Sequence, residues 1–290
     1  MGGMRSTKPD LAPWLWGGGI TALLLLHLPV ESSSRLWPAL TNSLIDFGHP
    51  LAFAWLAHVV FMCARAQTPR PSPGPYLWVL AGAAGYGAAT ELVQNVAGRQ
   101  PSLIDFRNDM LGAAIGLLWH GRQEAITSGV RWGITSLATV GAVVAVSPLA
   151  FTLAAYVHRA AMAPVLWQPG SRLFGHFSSL QLAPNSLLAV REPLATWRGH
   201  YHLEVDIENS QPVPQAVVVR VHYLLHDQRH RDRYNRRFSL PPHSRQTLRI
   251  PLEEIRAAPD GREMDMDAIR GIVVFGPESG ARFQVHEIRL

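Results

Sequence analysis

Two periodicities divide the chain. Up to about residue 157 the apolar residues come in long runs separated by short polar stretches, and from Leu180 onward they alternate with polar ones. Runs of about 20 apolar residues match a hydrocarbon core about 30 Å thick. Five helical spans are expected, at residues 11–30, 47–64, 76–97, 103–119 and 132–157. The first has Leu23, Leu24, Leu25 and Leu26 at its centre, and the fifth carries no charge at all. The fourth is amphipathic at its start, where Asp105, Arg107 and Asp109 gather, and apolar from residue 110 to 119.

The second periodicity predicts strands. Residues 202–208 alternate strictly and 217–223 in part. Further strands are expected around Phe238 and Leu240, around Leu248, Ile250 and Leu252, over 272–275, and around Phe283, Val285 and Ile288, with Pro, Gly and Asn between them. About eight such strands indicate an antiparallel sandwich or jelly roll, with short helical turns at 252–258 and 266–269. The expected organisation is a helical transmembrane domain over 1–159, a linker over 160–171, and an extracytoplasmic β-sandwich over 172–290.

Composition adds little until it is divided between the halves. Of 290 residues, 48% are hydrophobic and 16% charged, an average that fits neither half. The net charge of +5 is best read through the loops. Arg5 and Lys8, Arg65 and Arg70, and Arg122 and Arg131 fall on one side of the expected spans, so the positive-inside rule puts the N-terminus in the cytoplasm. Five crossings then put the C-terminal domain outside. The first span reads as a retained anchor rather than a cleaved signal peptide, because its apolar region is long and no small-x-small site follows it before Glu31. Basic residues between spans are topology signals, so membrane lipid is an expected partner and nucleic acid is not. Cys63 has no second cysteine to pair with.

Candidate chemistry gathers where the third and fourth spans meet. Glu91, Gln94 and Asn95 share a helical face, Gly98 and Pro101 end the helix, and Asp105, Asp109, Gly112 and Gly116 line one side of the next. Arg99 or Arg107 is the expected partner for these carboxylates. The segment E-x-x-Q from Glu91 to Gln94, then R-x-x-S-x-x-D from Arg99 through Ser102 to Asp105, then G-x-x-x-G, together with His49 three residues after Asp46, resembles the VanZ-like family over residues 45–118. The family usually has Asn where this chain has Asp109, and its acidic residue often lies four rather than three before the His. The resemblance implies that His49, Glu91, Gln94, Arg99, Ser102 and Asp105 occupy the family's polar positions, and it implies a cell-envelope role rather than a particular reaction. Two readings stand side by side: a ligand site, or an ion-pair network that pins two spans together. His58 and His27 read as packing or lipid-interface residues, and Glu31, Arg35 and His120 as solvated groups.

No metal-ligand set is expected, nor any cofactor. The run from His226 through His230 to Asp232 reads as an exposed hairpin loop. Residues 233–242 and 247–255 resemble, at the level of pattern, the jelly-roll modules of the galactose-binding-like and carbohydrate-binding class. In that setting Trp197, Tyr201, Tyr223 and Tyr234 are candidates to stack on sugars, with core packing as the competing assignment. Two functions follow from the whole chain. One is a non-catalytic binding or accessory protein at the outer face of the membrane, its partner an envelope glycan, lipid-linked precursor or antibiotic. The other is a membrane enzyme or carrier for a lipid-linked phosphate or sugar.

The loop charges make a direct prediction. A phosphatase that works only outside the cytoplasm, fused after Leu290, is expected to be active, and activity restricted to cytoplasmic reporters would refute the topology.

Overall fold

The computed structural model describes residues 37–66, 72–96, 102–181, 185–194, 196–224, 230–278 and 280–290. Two compact units emerge, with Pro38–Ala150 in one and Phe151–Leu290 in the other. The first is built from helices α1 (Pro38–Ala66), α2 (Gly74–Val96) and α3 (Leu103–Glu124) and the larger part of α4 (Ser128–Ala161). The four later expected spans each fall largely within one of these helices, and the expected span at 11–30 lies outside the described residues. Of the described helices, Pro38–Arg65 and Ser128–Ala161 are long and apolar enough to cross a membrane. A five-span bundle is not confirmed: α2, rich in Gly and Ala with Glu91 and Asn95 in its last turns, and α3, which holds Asp105, Arg107, Asp109, Arg122 and Glu124, are not among the helices that qualify by length and composition.

The contact that organises the helical unit is between α1 and α3. A Cβ added to Gly112 would lie 2.3 Å from the Pro50 carbonyl oxygen, and one added to Gly116 would lie 2.4 Å from that of Ala54. The two backbones therefore touch, which only glycine permits. Partner numbers rise together along both helices, so α1 and α3 run parallel. Around this seam Phe53, Ala57 and Phe61 of α1 pack with Val79 and Ala83 of α2 and Ala113 and Leu117 of α3.

The second unit is a sandwich of two antiparallel sheets. Its strands are β1 (Val165–Trp167), β2 (Ser178–Gln181), β3 (Leu187–Arg191), β4 (His202–Asn209), β5 (Gln215–Tyr223), β6 (Tyr234–Leu240), β7 (Ser244–Pro251), β8 (Ile269–Phe275) and β9 (Gln284–Arg289). One sheet has the order β1-β9-β4-β7 and the other β2-β3-β8-β5-β6. The β4–β5 and β6–β7 arms fold over each other so that β4 meets β7 and β5 meets β6, the nesting of a jelly roll. Alternation explains the core. Leu203, Val205 and Ile207 of β4 and Val217, Val219 and Val221 of β5 are all fully buried.

Two expectations need correction here. The stretch 160–171, read as a linker, contains β1, which pairs with β9 and buries Leu166 and Trp167. Its apolar run is only three residues between Pro164 and Pro169, too short to display an alternation. Residues 266–267 are a turn and Ile269 already begins β8, so no helix forms there, whereas α6 (Leu252–Arg256) falls within the helical turn expected at 252–258.

Buried Asn209 ties the loops at one end of the sandwich. Its amide donates to the carbonyls of Val213, Leu240 and Pro241 at 3.0, 3.3 and 2.9 Å, and its Oδ1 accepts from the Gln211 N–H at 2.9 Å. On the exposed face of β4, Glu204 accepts from Arg249 at 2.8 Å and Arg289 at 2.7 Å, while Asp206 is held bidentately by Arg245 at 3.0 and 2.5 Å. Hydrogen bonds from Arg249 and then Arg289 hold the Glu204 carboxyl below the usual carboxylate range, and Arg245 does the same for Asp206.

Two expected outcomes follow. Gly112→Ala is expected to lower the melting temperature of the detergent-solubilised protein, consistent with an overpacking cost of about 1–3 kcal/mol. Gly85→Ala serves as the control, since a Cβ at Gly85 meets nothing within 4 Å and should be tolerated. For the β4 face, a depressed folded pKa means the ionised carboxylates favour the fold. Their contribution is complete above the unfolded values of about 4 and is lost as pH falls through the lower folded values. Stability measured by hydrogen exchange in β4 and β7 should therefore fall between about pH 5 and 3, and fall less in Glu204→Gln. An equal fall in both proteins would count against the ion-pair origin.

Candidate functional site

The polar cluster is assembled at one end of the helical unit from α1, α2 and α3. Ser102 caps α3: its Oγ accepts from the Asp105 N–H at 3.2 Å, and its own N–H donates to Glu91 Oε2 at 2.6 Å. A carboxylate facing the first turn of a helix is favourable, since the unpaired N–H groups there carry partial positive charge. Gly87 and Glu91 lie one turn apart on α2 and share the face turned to α3. A Cβ at Gly87 would sit 3.1 Å from Asp109 Oδ2 and 3.3 Å from the Phe106 ring, so glycine makes room for the carboxylate.

Asp109 is the centre of the arrangement. It is fully buried, and its Oδ1 lies 2.8 Å from His49 Nδ1 across the α1–α3 seam. Its Oδ2 is buried and has no hydrogen-bond partner among the described residues, and the same holds for Glu91 Oε1. Burying a carboxylate oxygen unbonded costs several kcal/mol unless it is protonated or filled by a donor. The structure therefore brings together His49, Glu91, Ser102, Asp105 and Asp109 from the expected set. Arg99 lies outside the described residues, and nothing is described of the Gln94 side chain.

The expected ion pairing is corrected. Among the described residues the partner of Asp109 is His49 rather than Arg107, and the partner of Glu91 is the backbone of Ser102. Arg107 is exposed and donates to Asn108 Oδ1 at 3.2 Å. The physical reason is register: Arg107 falls two residues from Asp109, on another side of α3, while His49 projects from the helix that Gly112 and Gly116 bring into contact.

Sequence reasoning missed a second polar pair on the same seam. His120, read as solvated, is only 5% exposed and lies 2.8 Å, Nε2 to Nδ1, from His58, which was read as a packing residue. Phe61 stacks on His120 with centroids 4.5 Å apart. The signal was available: Gly112, Gly116 and His120 are spaced by four, as are Pro50, Ala54 and His58, so each set lies on one helical face. Beyond this pair, Glu124 accepts from Arg65 Nε at 2.9 Å and from the Tyr76 hydroxyl at 3.0 Å.

In the sandwich, the proposed sugar-stacking aromatics are mostly core. Trp197, Tyr223 and Tyr234 are 1%, 2% and 5% exposed, so their ring faces are occupied by protein. Trp197 also spends its indole N–H on the Leu194 carbonyl at 2.7 Å. Tyr201 alone of the four is exposed. A cleft of about 510 Å³ opens elsewhere, lined by Trp167, Leu180, Gln211, Arg282, Phe283 and Gln284 among others. In the segment 226–232, the described part is a 3-10 turn at His230–Asp232, and Asp232 there is buried and paired with Arg262 rather than exposed. No cluster of three or more metal-ligating residues occurs among the described residues.

No family model matches the chain, and no curated protein matches it. Among solved structures it is similar to the family 11 carbohydrate-binding module from Clostridium thermocellum in complex with a β-1,3-1,4-mixed-linked tetrasaccharide, at 17% identity over 39% of this chain and 72% of that one, with a TM-score of 0.29. It is similar also to the family 11 carbohydrate-binding module of the cellulosomal cellulase Lic26A-Cel5E of Clostridium thermocellum, at 17% identity over 39% of this chain and 71% of that one, with a TM-score of 0.27.

Proposed function

We propose that the protein is an integral membrane binding protein of VanZ-like type, with an accessory rather than a catalytic role in the cell envelope. One observation carries this reading: buried Asp109 and Glu91 each keep an oxygen free while the other is committed to His49 or to the start of α3. Two open acceptors at one end of a helical unit suit a ligand rich in donors, such as the hydroxyls or an ammonium group of an envelope glycan, a lipid-linked precursor or an antibiotic. The apolar surface of α4 supports membrane insertion, since Val140, Val143, Val144 and Leu153 are all more than 40% exposed. On the reading of five crossings, the loop charges favour a cluster at the outer leaflet and a sandwich outside.

A second reading, an enzyme or carrier for a lipid-linked phosphate or sugar, draws on the same dyad. A carboxylate bonded to Nδ1 fixes the imidazole tautomer and leaves Nε2 to act as a base. The surplus of carboxylates over cations in the described cluster favours the first reading, because an anionic headgroup would be repelled.

The test is a glycopeptide-susceptibility assay on cells expressing the full chain, with membrane-inserted protein measured in parallel. Asp109→Asn and Glu91→Gln are expected to abolish a resistance shift at normal protein levels. Loss of protein in proportion to phenotype would instead mark a structural network. Turnover of a radiolabelled lipid-linked sugar by purified protein, lost in His49→Ala, would favour the enzyme.

A further inference from the structure

The most unusual charge in the second unit is Arg159, in the last turn of α4. It is nine-tenths buried, and its Nε and Nη1 have no hydrogen-bond partner among the described residues. Its guanidinium is clamped between two rings, 4.7 Å from the Tyr156 centroid and 4.5 Å from that of Phe177. Such stacking is favourable, about 1 kcal/mol or more when desolvated, but it leaves the in-plane N–H donors unanswered. The nearby carboxylate does not answer them either. Glu192 accepts from the Tyr156 hydroxyl, and it does so from a left-handed backbone conformation, φ 52°, that a non-glycine residue adopts at a cost. A guanidinium fixed in orientation with open donors is the arrangement that recognises a planar or tetrahedral oxyanion.

The neighbours fit the same ligand. His158 lies 3.4 Å from the hydroxyl of Ser171, the residue that caps α5 (Arg172–Gly175), and exposed Arg172 follows directly. Exposed Arg191 acts on His176. His176, which bonds Thr152 at 3.0 Å, has its pKa lowered mainly by burial, so it offers a neutral polar group rather than charge.

Position decides between sources of oxyanion. Residues 132–157 carry no charge, and from Arg131 to Arg159 the helix advances 28 residues. At 1.5 Å per residue that is about 42 Å, the thickness of a bilayer with its headgroups, about 40–45 Å. Arg131 at one end and Arg159 at the other then fall at the two phosphate levels.

We infer that Arg159, clamped by Tyr156 and Phe177, is the centre of a phosphate-binding site for the headgroup of a membrane phospholipid. This rests on the reading of α4 as a span, and the tests separate the two. The full chain, purified in mild detergent, is titrated with phosphatidylglycerol, with phosphatidylcholine and with inorganic phosphate while its melting temperature is followed, and lipid retention is counted by native mass spectrometry.

Phosphatidylglycerol is expected to raise the melting temperature of the wild type and to be retained. Arg159→Met is expected to fold, to melt no lower than the wild type without lipid because it removes a buried guanidinium whose Nε and Nη1 are not hydrogen-bonded, and to require at least about tenfold more lipid for half its effect. Arg159→Lys, which keeps the charge but lacks the planar fork, should fall between them. An equal response to inorganic phosphate would support the oxyanion site and assign it to a soluble ligand, overturning the lipid source. An identical lipid response in wild type and Arg159→Met overturns the site itself. So does failure of Arg159→Met to fold while Arg159→Lys responds like the wild type, since the guanidinium is then structural. Release of the wild type from membranes by alkaline carbonate would overturn the span, independently of any lipid titration.

Discussion

Backbone contact between α1 and α3 is the constraint on which the helical unit depends. Gly112 and Gly116 remove the side chains that would hold the helices apart, so Pro50 and Ala54 come to within a Cβ's reach of them. Everything chemically distinctive in the unit is a consequence of that approach. His49 reaches Asp109, and His120 reaches His58, because the helices between them are in contact. Close packing and cross-helix hydrogen bonds are the two forces that small-residue helix seams rely on. The seam supplies both, alternating a polar pair, two glycines and a second polar pair.

The sandwich is held by a different balance. Its core is a row of β-branched and aliphatic side chains delivered by strand alternation, and its charged face is a lattice of exposed ion pairs of small individual worth. Between these lies Asn209, whose four hydrogen bonds satisfy loop backbone that would otherwise be buried without partners. The core fixes the layers, and Asn209 fixes how two connections cross their end.

What could be read in the sequence followed the range of the interaction. Helices and strands with long regular patterns were legible. Pairings between distant segments were not derivable from spacing along one helix. His49 and Asp109 stand 60 residues apart, and a rule that looks for the nearest arginine names the wrong partner. The aromatics show the same divide. Tyr223 shares the parity of Val217, Val219 and Val221, so its burial could have been inferred from the alternation. Trp197 sits in a connection without periodicity, and only the fold reveals that it is core. β1 was hidden for want of length, being three residues enclosed by prolines.

The parallel register of the seam has a mechanical meaning. Pro50 with Gly112, Ala54 with Gly116 and His58 with His120 all keep one offset, 62 residues, like the teeth of two racks engaged over three successive turns. Sliding α3 along α1 by a single residue would drive Ala113 or Leu111 into the space that only glycine fits, so small slips are blocked by the backbone itself. A displacement large enough to clear the teeth would uncouple the His49–Asp109 pair and the His58–His120 pair together, although they stand at opposite ends of the contact. The two polar pairs are therefore geared: neither can be opened by axial motion while the other stays closed.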